Sequence, residues 1–130
     1  MNKDEALHLF FNLFEGIDAT DEMTTAFFDI ISKTGHEEDI FRMLVLRLKI
    51  LSDLGINATR HKEFENIGNG LFSMHLAGNG FNIRILYAPQ SNQQPVFLLT
   101  FYERGGKRRT DYSAQIPKAL ELLKKYKEEH

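Results

Sequence analysis

The sequence predicts an α+β domain: helices first, then an antiparallel sheet of three or four strands, then a closing helix. Three observations carry this prediction. Up to Gly55 the apolar residues recur at helical spacing, from Leu71 to Tyr102 they alternate as strand residues do, and beyond Ser113 the helical period returns.

The first helix is expected over residues 4 to 15, where Leu7, Phe10, Phe11 and Phe14 share one side. In "TDEMTTAFFDIISKTG" the residues Met23, Phe27, Ile30 and Ile31 form a second apolar face, with Thr20 or Asp21 as the cap and Gly35 as the stop. A third helix, "HEEDIFRMLVLRLKILSDLG", has three acids in its first turn, which suit the positive end of a helix, and carries Ile40, Leu44, Leu48 and Leu51 down one face to Gly55. A short edge strand is expected within "NATRHKEF". Next, "GLFSMHLAG" and "GFNIRILYAP" alternate apolar with polar residues around Gly78-Asn79-Gly80, whose residues tolerate the positive φ of a tight hairpin turn. "PVFLLTFYE" is apolar on both faces and is expected to be a central strand. In "SAQIPKALELLKKYKEE" the residues Ile116, Ala119, Leu120, Leu123 and Tyr126 share a face that packs on the core, and Pro117 is acceptable there in a first turn.

Composition narrows the function classes. A chain of 130 residues with 42% hydrophobic residues and eleven Phe builds one domain with an ordinary core. Without cysteine it has no disulfide, no thiolate zinc site and no Cys nucleophile. The opening "MNKDEALHLFFNLFE" lacks the features of a signal peptide, and no apolar run approaches the roughly 20 residues of a membrane span, so a cytoplasmic protein without a membrane partner is expected. His8, His36, His61, His75 and His130 lack the spacing of a metal site, "AGNGFNIR" lacks the Lys-Ser/Thr of a phosphate loop, and no nucleophile elbow occurs. No metal or cofactor is therefore expected.

Charge is divided unevenly. Residues 1 to 55 hold five Lys/Arg against eleven Asp/Glu, a balance of −6, while residues 56 to 130 hold eleven against seven, a balance of +4. This asymmetry points toward a polyanionic ligand on the C-terminal half. It peaks in "FYERGGKRRTDY", where Arg104, Lys107, Arg108 and Arg109 surround two glycines: either a solvated turn or a surface that holds phosphate.

The ordered set of Leu71-Phe72 with Met74, Ile83-Arg84-Ile85-Leu86-Tyr87, Phe101 with Arg104, and Ile116 with Ala119, following a helix that ends Leu51-x-x-x-Gly55, resembles the RelE/HigB superfamily of toxins from toxin–antitoxin systems, in particular its phage-derived branch. The similarity covers residues 40 to 127. It implies a RelE-like core over residues 36–130 with extra helices over 1–35. The chain departs from the family pattern at Ser73, His75 and Glu103, where the family carries Glu, Arg and Lys.

The resemblance implies a ribosome-dependent mRNA endonuclease, metal-independent, in which the 2′-hydroxyl attacks the adjacent phosphate, and which a partner antitoxin protein neutralises. Such chemistry needs a base, a cation at the phosphate and an acid for the leaving oxygen. By this resemblance Arg84 holds phosphate, His75 acts as acid or base, and Lys107 completes the catalytic group. Arg104, Lys107, Arg108 and Arg109 then hold the RNA backbone while Tyr102 or Tyr112 stacks on a base. The alternatives are a non-catalytic protein- or nucleic-acid-binding module on the same fold, or a ParE-like gyrase inhibitor. The acidic first helices either cover the basic face in place of an antitoxin, or extend the core or a dimer contact.

Overall fold

The computed structural model describes residues 3–12, 14, 16–90, 94–104 and 108–130, and within these it does not describe the side chains of residues 3, 4, 12 and 108–111. The elements run α1 (Lys3–Asn12), β1 (Asp18–Ala19), α2 (Asp21–Thr34), α3 (Glu37–Leu54), a 3₁₀ turn (Gly55–Arg60), β2 (Phe64–Gly68), β3 (Leu71–Gly78), β4 (Phe81–Pro89), β5 (Pro95–Tyr102) and α4 (Arg108–Glu129). Among the described residues the strands form one sheet in the order β1-β5-β4-β3-β2, antiparallel throughout except for β1, which runs parallel to β5. The α+β class is as expected; the sheet is mixed and five-stranded, larger than the three or four antiparallel strands predicted.

The sheet separates two apolar layers. On one face Phe72, Met74, Leu76, Ile83, Ile85, Tyr87 and Phe97 pack against Leu7 and Phe11 of α1, Met23, Phe27 and Ile31 of α2, and Ile40, Leu44, Leu48 and Leu51 of α3. The Phe11 ring meets Phe97 edge-on at 5.1 Å and 85°, a contact worth about 0.5–1.5 kcal/mol beyond the area it buries. On the other face Leu71, Leu86, Ala88, Val96, Leu98, Leu99 and Phe101 lie beneath α4. The acidic first helices therefore sit across the sheet from α4. They extend the core, and they do not cover the face beneath α4 in place of an antitoxin.

Several local features follow from single residues. Thr20 caps α2 by accepting from Met23 N at 3.1 Å, and its hydroxyl donates to Leu98 O at 2.6 Å, which ties the helix start to β5. Gly35 ends α2 at φ 75°, a left-handed conformation that glycine adopts without a Cβ clash. The β3–β4 turn is Asn79-Gly80 between the paired Gly78 and Phe81. Gly80 has φ 99°, and a Cβ there would come within 2.6 Å of His36 Nε2.

Three elements differ from expectation. The edge strand lies at Phe64–Gly68 and begins on the last residue of "NATRHKEF", whose first half belongs to the 3₁₀ turn. The strand predicted as central, β5, is interior, but its outer neighbour is only the two-residue β1, too short to leave a periodic signal. Helix α4 begins at Arg108 and not near Ser113, so Pro117 lies inside it, where proline removes a main-chain donor and crowds the preceding turn. No helix among the described residues is long and apolar enough to cross a membrane.

Candidate functional site

The polar residues of the α4-side sheet face collect at the β3–β4 hairpin half of the sheet. Strand alternation puts Ser73 and His75 of β3 and Asn82 and Arg84 of β4 on this face, with Glu65 of β2 opposite Ser73. His75 and Arg84 are direct cross-strand partners, as the hairpin reading implied. The next strand contributes Phe101, opposite Arg84, and then Glu103.

Glu103 reaches this face because of a bulge. Leu86 pairs with Leu99 while Tyr87 pairs with Phe97, so Leu98 is an extra residue in β5. Without it, Leu99, Phe101 and Glu103 would share the face of Phe97, against α1–α3. The bulge shifts the alternation and turns all three toward α4.

The result is a closed ion pair. Arg84 Nη2 contacts Glu103 Oε2, and both residues are buried, at 8% and 4% exposure. Arg84 Nη1 donates weakly to Ile83 O at 3.3 Å, and Arg84 Nε is buried with no hydrogen-bond partner among the described residues. Glu103 is clipped in place by its main chain: its N–H donates to Asn82 O at 2.8 Å, and Asn82 Nδ2 donates to its carbonyl at 3.1 Å. The backbone of Arg84 is held as well, its carbonyl accepting from Thr100 Oγ1 at 2.8 Å. Arg84 is thus not the exposed guanidinium that a strand-face phosphate clamp requires; an internal carboxylate already occupies it.

His75 lies at the more open side of the group. Its ring is partly exposed, and Nε2 stands 3.4 Å from Glu65 Oε1. From the helical layer Arg47 Nε donates to His75 O at 3.0 Å, which fixes the strand beneath the imidazole. Burial lowers the Arg47 pKa, an effect that the charge of Glu63 opposes.

Tyr112 closes the group from above. Its hydroxyl lies 2.7 Å from Ser73 Oγ, and its ring meets Phe101 edge-on at 5.4 Å and 89°. With 7% exposure this ring is committed to packing and is not presented to stack on a base. Tyr102 is 42% exposed at the end of β5, but its pairing with Ile83 puts it on the α1–α3 face and away from the group, while Arg104 is exposed. Arg108 and Arg109 fall in the first turn of α4, their side chains outside those described, and Lys107 lies outside the described residues altogether.

Sequence reasoning brought Arg84 and His75 together and missed their carboxylates. Glu65 belongs to a strand whose bounds were not found. Glu103 was visible as an acid among cations, but its orientation depends on the bulge.

A second polar cleft, of about 280 Å³, lies where α1, β1 and the last turns of α4 meet. His8 Nε2 stands 3.0 Å from Asp21 Oδ1, while Tyr126 OH donates to Asp18 Oδ2 at 2.7 Å with the Gln90 side-chain amide 3.1 Å from the same hydroxyl. The Tyr126 phenol is held above the ordinary tyrosine range by burial first, then by the hydrogen bond to Asp18 and its charge. No three His, Asp or Glu side chains converge as metal ligands among the described residues. Compared with protein-family models and with curated proteins, the sequence matches none.

Proposed function

We propose that this chain is the toxin of a toxin–antitoxin pair and cleaves ribosome-bound mRNA, with the group around His75 and Arg84 as its active site. The observation that carries this reading is the direct pairing of His75 with Arg84 on adjacent strands, with Glu65 Oε1 3.4 Å from the imidazole. The ordered motifs that resemble the RelE/HigB toxins lead to the same two positions.

In this reading His75 takes the proton of the 2′-hydroxyl as that oxygen attacks the adjacent phosphorus, and Glu65 stabilises the imidazolium formed. The bond from phosphorus to the 5′-oxygen breaks, leaving a 2′,3′-cyclic phosphate, and the departing oxygen takes a proton from Lys107 or from water. Arg84 supplies fixed positive charge to the phosphorane-like transition state. Arg104, Lys107, Arg108 and Arg109 hold the RNA backbone. An antitoxin protein keeps the activity in check in the cell.

A second reading, a non-catalytic binding module on the same fold, is favoured by the closed Arg84–Glu103 pair, which keeps Arg84 buried against an internal carboxylate.

Induced expression in a bacterial culture, with cleavage mapped on translated and ribosome-free RNA, separates the two. The nuclease reading expects growth arrest with cuts confined to translated RNA. Both should be relieved by His75→Ala and by the paired change Arg84→Met with Glu103→Leu, which removes the cation without stranding a buried acid. Soluble, folded protein that causes neither arrest nor cuts sinks the nuclease reading in favour of the binding module.

A further inference from the structure

The guanidinium of Arg84 is only half used, and the unused half points to a ligand. The two donors that a guanidinium presents side-on to an oxyanion are Nε and Nη2, which together match the spacing of two oxygens. Glu103 takes Nη2 with one oxygen, while Nε has no hydrogen-bond partner among the described residues although Arg84 is more than nine-tenths buried. A buried donor without a partner costs free energy, so this end of the fork is waiting for an acceptor. Glu103 cannot readily supply it, because its N–H and C=O are both fixed to Asn82.

We infer that Glu103 is a one-pronged stand-in for phosphate: its carboxylate occupies the anion position on Arg84 and must leave it before a phosphate group can bind across Nε and Nη2. This rests on the reading of Arg84 as the phosphate residue, and it adds that the resting protein holds the position shut. A tetrahedral phosphate brings oxygens for both prongs, so it recovers the hydrogen bond that the carboxylate leaves unmade. Glu103 is then a gating residue whose charge opposes anion binding. Removing that charge while preserving its shape should open the position.

The test uses the folded full-length protein at low ionic strength and titrates it with inorganic phosphate. Wild type, Glu103→Gln and Glu103→Asp are followed by the Arg84 Nε–H resonance, assigned by its loss in Arg84→Lys. Glu103→Gln is expected to bind phosphate roughly ten- to hundredfold more tightly than wild type, the range of one charge-assisted hydrogen bond, with the shift centred on Arg84. Glu103→Asp keeps the charge on a shorter arm and should fall between. Folded Glu103→Gln with no gain over wild type, or a shift that leaves the Arg84 resonance in place, overturns the inference. Should Glu103→Gln fail to fold, Glu103→Asp decides, and wild-type affinity there overturns it equally.

The nuclease reading fails separately. Phosphate bound at Arg84 in Glu103→Gln without RNA cleavage by any form removes the nuclease and keeps the gate. RNA cleavage by wild type with no gain in Glu103→Gln does the reverse.

Discussion

Arg84 and Glu103 show how much of a residue's behaviour is set by its partner. A buried charge left without its counterion typically costs about 3–5 kcal/mol, whereas replacing both members by apolar groups of similar volume is near neutral. Arg84→Ala should therefore lower the unfolding free energy by about 3–5 kcal/mol in urea denaturation, with Arg84→Met/Glu103→Leu close to wild type. Comparable losses from the single and paired changes would mean that the pair contributes little beyond its volume. Tyr126 gives a second expectation at this scale. Its phenol is held above the ordinary range in the folded chain by burial and by Asp18, and burial does the same for Tyr87. Folding thus favours the protonated forms: their contribution is fully present below the unfolded pKa of about 10 and is lost as pH rises beyond it. Alkaline titration by ultraviolet absorbance should show the Tyr87 and Tyr126 phenols ionising only with unfolding, and one fewer such phenol in Tyr126→Phe. The adjacency of His75 and Arg84 was legible because a two-residue Asn79-Gly80 turn sets the register of every pair behind it. The carboxylates were not, since nothing in "PVFLLTFYE" marks Leu98 as the extra residue that turns Glu103 toward Arg84.

The elements differ in how firmly they are held. Helix α4 buries only Tyr112 and Ala119 among its described side chains, while Ile116, Leu120, Leu122, Leu123 and Tyr126 remain half-covered. Strands β3, β4 and β5 are buried for most of their length. Native-state hydrogen exchange should release α4 amides well before those of β4, and equal protection along both would contradict this ordering. At the hairpin, Gly80→Ala meets both a positive φ and His36 Nε2, and should cost about 1–3 kcal/mol, only part of which His36→Ala in the same chain can restore. At the start of α2, Thr20→Ala removes the cap and the bond to Leu98 O together, for about 1–2 kcal/mol by thermal or urea unfolding. The long helices and the hairpin were readable from periodicity because each runs for many residues with one buried face. β1 was not, because two residues have no period, and the start of α4 was misplaced because Pro117 argued for a first turn that the chain begins nine residues earlier.

Across the whole molecule the uneven charge becomes a difference between layers. Most acidic residues of the N-terminal half belong to the α1–α3 side, although Asp18 and Glu22 reach Tyr126 and Lys125 of α4, and the chain after β5 leads into the opposite layer. If RNA is the ligand, a short single-stranded RNA should protect amides at the β5–α4 junction and leave α1 and α2 unchanged, with affinity falling as salt rises. Protection confined to α1 and α2 would place the ligand on the wrong layer for the proposed function. The charge asymmetry was visible in the sequence, but its meaning was not: whether acids shield a basic face or back away from it depends on which side of the sheet the first helices take.

That placement depends on β1, and β1 puts the molecule on a schedule. Thr20 bonds to Leu98 across 78 residues of chain, and α2 lies along the same strand. At roughly 5–20 residues per second of synthesis, the first helices wait about 4–16 s for the strand that receives them. Strands β2 to β4 can meanwhile zip as consecutive hairpins, each needing only its neighbour. Glu103 and Tyr112 emerge only after these strands. A chain halted before them carries His75 and Arg84 on an uncapped hairpin, with neither the carboxylate that occupies the guanidinium nor the ring that covers it, so the gate is fitted only after the hairpin it closes.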